Sequence, residues 1–431
     1  MATCRVDAGP RTAFFVPEHS PGRQSGRGAR GHLFKVPNGL CRLFGRLQSL
    51  HFPMRFTLPP LRRFALLCLL GVLATASAPL FASDRPAVIP FPSAPGKVVP
   101  PSVMQQIHDE VKTPNKYGVV LKGGEGELVD CPNVFRHGDT WYMMYVAIKD
   151  KVGYETYLAR SDDLLHWEKL GKILSFRREG WDAWQADGGI ALYDTQWNGR
   201  HALGRHGGRY WLSYIGGAKQ GYEPDPLAIG LAHAEDPTAI AEWTRLPENP
   251  VLHSDQGDVR AFEKTTLYKS AIIRDTAESL GWPFVMFYNG KAPPDGHEAI
   301  GMAVSRDLRT WHRYGSDSII HNKGESRWAI SGDPQITKIG DVWVMFYFGA
   351  FWKPDAFDTF ACSYDLVNWT MWEGPHLVAP SEPYDKQFAH KPWVLKHDGV
   401  VYHYYCAVGS EGRVIALATS RDLSGREKKQ P

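Results

Sequence analysis

Five short segments of this chain each place a polar or ionisable residue ahead of an apolar run. They are Asp130-Cys131-Pro132-Asn133-Val134, Asp187-Gly188-Gly189-Ile190, Glu263-Lys264-Thr265-Thr266-Leu267, Asp333-Pro334-Gln335-Ile336 and His390-Lys391-Pro392-Trp393-Val394. A carboxylate taken out of water is costly unless it is paired or faces a wetted cavity. One Asp ahead of a strand is ordinarily a turn or cap residue, but five such heads in one sequence argue for a shared polar cavity. Carboxyls grouped around a cavity can divide acid–base work. One keeps its proton and gives it to a leaving oxygen, while another, ionised, activates water or attacks carbon. A third charge nearby raises the acid's pKa by like-charge repulsion and keeps it protonated near neutral pH.

The spacing of these heads is not uniform. Asp187 and Asp333 stand three residues before the first strand hydrophobe, whereas Asp130, Glu263 and His390 stand four before it. A one-residue slip turns a side chain to the other face of a strand, and a bulge would restore the direction. Asp333 is therefore an alternative catalytic carboxylate. Glu155 and Glu298, which head third strands, are read as structural.

The elements that must position these residues form a repeat. Five strands carry a Tyr with a small residue two places later: Tyr145/Ala147, Tyr214/Gly216, Tyr288/Gly290, Tyr347/Gly349 and Tyr405/Ala407. Each leads to a strand ending in a Ser-x-Asp-Leu-like turn. Ser161-Asp162-Asp163-Leu164, Ser305-Arg306-Asp307-Leu308 and Ser363-Tyr364-Asp365-Leu366 are followed by Trp167, Trp311 and Trp369. The second copy is degenerate, and the fifth stops at Ser420-Arg421-Asp422-Leu423. The turn Asp residues are read as structural acceptors of backbone N–H groups. A four-stranded unit repeated in this way predicts an all-β fold, a five-bladed β-propeller of antiparallel blades over 117–425. Residues 83–116 read as a Pro-rich arm with a short helix over 103–112. Tyr117–Leu121 is expected to supply the strand missing from the last blade, which joins the chain ends and removes an exposed edge.

The 431 residues are 43% hydrophobic and 12% aromatic, with a formal net charge of +3. That charge is too small, and its cations too dispersed, for a nucleic-acid surface. Residues 1–82 read as an upstream extension and signal peptide. Arg62-Arg63 precedes an apolar run from Phe64 to Leu73 and small residues that offer cleavage after Ala76 or Ala82. Residues 1–53 are read as lying upstream of a true start at Met54. The expected location is periplasmic or secreted, with no membrane insertion after processing. Cys131, Cys362 and Cys406 remain after processing and are expected to be buried thiols.

The repeat with its acidic strand heads resembles the five-bladed β-propeller glycosidases, above all glycoside hydrolase family 43 and its relatives, families 32, 62, 68, 117 and 130. The resemblance implies a hydrolase with Asp130 as general base, Asp187 as the tuning carboxylate and Glu263 as general acid. It also implies His390 as a channel histidine near a structural calcium, and single-step inversion of an oligosaccharide or polysaccharide substrate. Trp184 and Trp328 are the favoured sugar platforms, with Trp181, Phe262 and Phe351-Trp352 as further aromatic candidates. Arg327, Lys264 and Lys391 either bind an acidic sugar or phosphate or neutralise the buried acids. Two alternatives stay open: a glycoside phosphorylase resembling family 130, and a non-catalytic carbohydrate-binding propeller.

Overall fold

The computed structural model describes residues 88–92 and 96–425; the extension and signal peptide expected over 1–82 lie outside the described residues. Apart from a helix, α1 (Pro101–Val111), and a 3-10 turn at Ala261–Glu263, the regular structure is β-strand. Strand β1 (Asn115–Leu121) is followed by a meander of β2 (Glu127–His137), β3 (Thr140–Lys149), β4 (Tyr154–Ser161) and β5 (Glu168–Leu174). A second meander comprises β6 (Gln185–Ile190), β7 (Tyr210–Gly217), β8 (Leu227–Ala234) and β9 (Thr244–Arg245). Next come β10 (Thr266–Arg274), β11 (Phe284–Lys291), β12 (Glu298–Ser305) and β13 (Trp311–Tyr314), then β14 (Ile330–Ile339), β15 (Val342–Ala350), β16 (Ala356–Ser363) and β17 (Thr370–Met371). These last two meanders join at one parallel pair, Glu298 with Ile330. The final strands are β18 (Phe388–His397), β19 (Val400–Gly409) and β20 (Gly412–Thr419), and β1 pairs antiparallel with β20 to complete a four-stranded sheet.

Local chemistry explains these elements. Two-residue loops join β2 to β3 and β18 to β19; in the latter both Asp398 and Gly399 are left-handed (φ 49° and 71°), as a hairpin of matching twist requires. In the turns after β4, β12 and β16 the serine oxygen accepts from the next backbone N–H groups. The aspartate then accepts from two more, as Asp163 does from Leu165 and His166 at 2.9 Å each. Asp307 and Asp365 repeat the pattern, which keeps polar backbone satisfied at the sheet corners, away from the channel. Helix α1 lays Met104, Ile107 and Val111 against Val342, Val344 and Phe360. Cys131, Cys362 and Cys406 are free and buried.

The recurring tyrosines are buried, and several bond to a polar residue in the loop entering their own sheet. Tyr214 donates to Asp182 (3.1 Å), Tyr288 to Glu263 (2.6 Å) and Tyr405 to Asp385 (2.9 Å), while Tyr347 accepts from Asn322 (3.4 Å). Each acid also has a cation: Arg245 on Asp182, Arg260 and Arg313 on Glu263, and Lys116 on Asp385. The small residue two places after the Tyr makes room for that loop. A Cβ on Gly216 would meet the Trp181 ring, and one on Gly290 would meet Glu263.

Candidate active site

Strands β2, β6, β10, β14 and β18 together line one central cavity, through Cys131–Asn133, Gly189–Ile190, Lys269–Ala271, Asp333–Gln335 and Lys391–Trp393. Three of them share a device. Cys131, Asp333 and Lys391 are left-handed (φ 51°, 51° and 64°), each precedes a proline, and each sits where the pairing register slips. Such bulges re-aim side chains next to active sites. Here they bring Cys131, Asp333 and Lys391 to one level of the channel. A fourth slip in β10 carries Lys269 to the same cavity.

Asp130 lies one step behind this level and is 0% exposed. Its Oδ2 accepts from Arg413 (2.6 Å), Lys391 (3.1 Å) and the Tyr154 hydroxyl (3.3 Å), and its Oδ1 from the Cys131 N–H (2.8 Å). Burial works against its charge, but Arg413 and Lys391 override it and hold the carboxyl well below the usual range. Asp187, 1% exposed, pairs with Lys269 through Oδ1, and its Oδ2 is buried without a partner. Burial, aided by the nearby Glu223 charge, pushes Asp187 upward, and Lys269 opposes the shift.

Glu263 is not brought to this group. It ends the 3-10 turn ahead of β10, so the strand begins later than its sequence suggests. Its Oε1 accepts from Arg260 (3.1 Å) and Arg313 (2.6 Å), and its Oε2 from Tyr288 (2.6 Å). Burial raises its pKa, but the two guanidiniums outweigh burial and the net shift is downward, the opposite of a proton donor's requirement. This corrects its expected role as general acid: Glu263 is the tyrosine-bonded loop acid of its sheet, equivalent to Asp182 and Asp385. Glu263→Gln is expected to cost about 3 kcal/mol of stability by leaving Arg260 and Arg313 short of a buried anion, with kcat of the folded protein retained. A thermal melt beside an activity assay checks this; lost activity at an unchanged melting temperature would restore it as the acid.

Two carboxyls outside the strand heads complete the cluster. In antiparallel order the heads of first and third strands lie at the same edge, so Tyr154, Glu298 and Arg413, at or next to the starts of β4, β12 and β20, rise beside Asp130 and Asp333. Glu298 is partly exposed and accepts from Asn289 Nδ2 (3.3 Å), while Asn289 Oδ1 accepts from the Asp333 N–H (3.1 Å), so one amide ties the two acids together. Burial raises Glu298 to about 7, with Asp333 and Glu223 adding repulsion and Lys291 opposing. Burial likewise raises Asp333 to about 6 against Lys391 and Lys269. Glu223 comes from the loop between β7 and β8, is left-handed (φ 46°), and lies 4.0 Å from Lys391 Nζ with its side chain 13% exposed. Nothing in the repeat marks this position. Glu155, the other third-strand Glu, pairs with Lys172 (2.7 Å).

The expected binding residues divide. Lys391 is buried in the cluster, whereas Lys264 and Arg327 are exposed, and Arg327 donates to the Pro294 carbonyl (2.9 Å). Trp328 is 48% exposed with the Arg327 guanidinium 5.0 Å from its ring, a surface a sugar face can use. Trp184 is half-buried against Phe176, and Trp181 and Phe262 are packing residues against Tyr214 and Gly301. Trp352 donates to the Ile330 carbonyl (2.8 Å). The residues around His390 do not fit a calcium ion. Its Nδ1 faces the Cys406 carbonyl (3.1 Å), burial and then Arg413 lower it to about 3, and the neighbouring ammonium of Lys391 already neutralises Asp130. Among the described residues no group of three His, Cys, Asp or Glu could hold a metal.

No family model matches this sequence, and no curated protein matches it. Solved structures do. One, named as a complex of BT0996 with RGII, is 45% identical over 78% of this chain and 99% of its own, with a TM-score of 0.73. A second, named "Glycoside hydrolase", is 44% identical over the same shares with the same TM-score. A thermostable family-43 glycoside hydrolase, at 15% identity, 72% and 95% coverage and a TM-score of 0.52, shares the fold. The protein belongs to the glycoside hydrolases.

Proposed function

We propose that this protein is an exported, five-bladed propeller glycoside hydrolase in which Glu298 gives the proton and Glu223 is the ionised partner. The five blades are the four-stranded units described above, with β1 closing the last. The substrate we propose is an oligosaccharide derived from RGII, the ligand for which the 45% identical relative is named. The observation that carries the assignment is access combined with proton affinity. A donor must touch the glycosidic oxygen. Asp130 and Asp187 are sealed beneath their cations, and Glu263 is sealed elsewhere; Glu298 is partly exposed and is raised to about 7. Asp333, against the floor cations Lys269 and Lys391, takes the tuning part expected of Asp187.

In the cycle we propose, Glu298 protonates the leaving oxygen as the glycosidic bond breaks. Glu223 takes a proton from the water that adds to the anomeric carbon from the opposite face. Lys391, 4.0 Å away, favours the carboxylate form of Glu223 before the step. Inversion is the outcome carried from the family resemblance. The phosphorylase alternative needs free cations for phosphate, but Lys269, Lys391 and Arg413 already face Asp187 and Asp130. The test is digestion of RGII-derived oligosaccharides in phosphate-free buffer containing EDTA, with proton NMR of the first product. Release of a sugar in the inverted configuration is expected. A requirement for phosphate, a requirement for calcium, or a retained anomer would each overturn the corresponding part of the proposal.

A further inference from the structure

We propose that Asp130, acting through Arg413, is a positioning residue for Glu223: the buried Asp130–Arg413 pair is the floor on which Tyr222 stacks, and Tyr222 fixes the loop that holds Glu223 in the mouth. This rests on the assignment of Glu223 as the ionised partner. A fully buried carboxylate with two cations and a tyrosine hydroxyl on one oxygen has no capacity left for a substrate. Its arrangement does have a consequence one layer up. The Arg413 guanidinium lies 5.0 Å from the Tyr222 ring centroid, and the Tyr154 ring, whose hydroxyl bonds Asp130, meets Tyr222 edge-on at 5.5 Å. Tyr222 is 43% exposed, so these two rigid groups beneath it define its place.

The next residue is Glu223, in a left-handed conformation that a non-glycine side chain holds only when its surroundings over-determine it. The rest of the loop is fastened on either side. The Gly221 N–H donates to the Val152 carbonyl (3.0 Å), and Gln185 donates to the carbonyls of Lys219 (3.2 Å) and Gly221 (2.9 Å). Beyond Glu223, Asp225 is held by Lys291 (2.8 Å) and the Tyr268 hydroxyl (3.3 Å). Between these clamps the Tyr222 stack sets the direction of Glu223. Asp130 acts a second time through Lys391, whose ammonium is 3.1 Å from Asp130 and 4.0 Å from Glu223. The strand-head acid thus orients the reacting carboxylate without touching the sugar.

Four variants test this on an activated aryl glycoside. Arg413→Lys keeps a positive charge toward Asp130 but removes the planar face under Tyr222; Tyr222→Leu leaves the Asp130–Arg413 pair intact. Each is expected to lower kcat by up to about 10²-fold, the scale of a misplacement of roughly 1 Å, with KM nearly unchanged and the melting temperature within a few degrees. Tyr222→Phe is expected to restore the rate that Tyr222→Leu loses. In a Glu223→Gln background Arg413→Lys should cost nothing further, because its effect passes through the missing carboxylate. Wild-type kcat in Arg413→Lys, a rise in KM alone for Tyr222→Leu, or losses that multiply with Glu223→Gln would overturn the inference. Activity surviving in Glu223→Gln alone would instead overturn the assignment of Glu223 itself.

Discussion

Glu298→Gln is expected to lower kcat/KM by about 10²–10⁴-fold on an oligosaccharide, the usual contribution of a positioned proton donor. The loss should be far smaller on an aryl glycoside whose leaving group departs without a proton. This split follows from what the carboxyl does: it neutralises charge on the leaving oxygen, and a phenolate that carries charge well has little need of it. The pH dependence has a fixed sign. Burial first, then Asp333 and Glu223, place the Glu298 pKa at about 7, and the active form is protonated, so the rate falls as pH rises through about 7. Stability moves the same way. The folded pKa lies above the unfolded value of about 4.3, so the folded state binds more protons between the two. That stabilising contribution is complete below the unfolded pKa and is lost as pH rises through the folded one. Glu298→Gln carries no such penalty and is expected to melt higher than the wild type at pH 8, with the difference closing near pH 4.

Glu223→Gln is expected to lower kcat on the order of 10²–10⁴-fold on both classes of substrate. No quality of leaving group replaces the group that activates the incoming water. The contrast between uniform loss in this variant and selective loss in Glu298→Gln assigns the two roles by kinetics. Lys391 remains ion-paired with Asp130 in the variant, so the floor of the channel is left intact and a loss of rate reports on the reaction rather than on folding. A Glu223→Gln enzyme that still turns over the aryl glycoside at the wild-type rate would remove Glu223 from the reaction.

The repeat is legible in the sequence because its markers are local. A Tyr-x-small strand and a Ser-x-Asp turn depend on nearest neighbours, and so does the closing role of Tyr117–Leu121. The active site is less so, for identifiable reasons. Counting back from strand hydrophobes makes Glu263 a strand head, yet the aromatic-acid pairs Trp181-Asp182, Phe262-Glu263 and Tyr384-Asp385 mark it as the loop partner of Tyr288. The three X-Pro steps at Cys131, Asp333 and Lys391 are visible in the sequence as an aligned signal for the bulges that aim Asp333 and Lys391 at the channel. Glu298 reads as structural when chemistry is sought on first strands alone, although antiparallel order puts third-strand heads at the same mouth. Lys269 lies within a strand, and Glu223 lies in a loop whose path is set by contacts to distant elements. No periodicity announces either.

The most direct test of the catalytic pair is the pH dependence of kcat/KM for the wild type and Glu298→Gln on the same RGII-derived oligosaccharide. The wild type should show an alkaline limb near pH 7, and the variant, at a much lower rate, should lose that limb. An alkaline limb that persists unchanged in Glu298→Gln would contradict the account, because the proton given to the leaving oxygen would then come from another group.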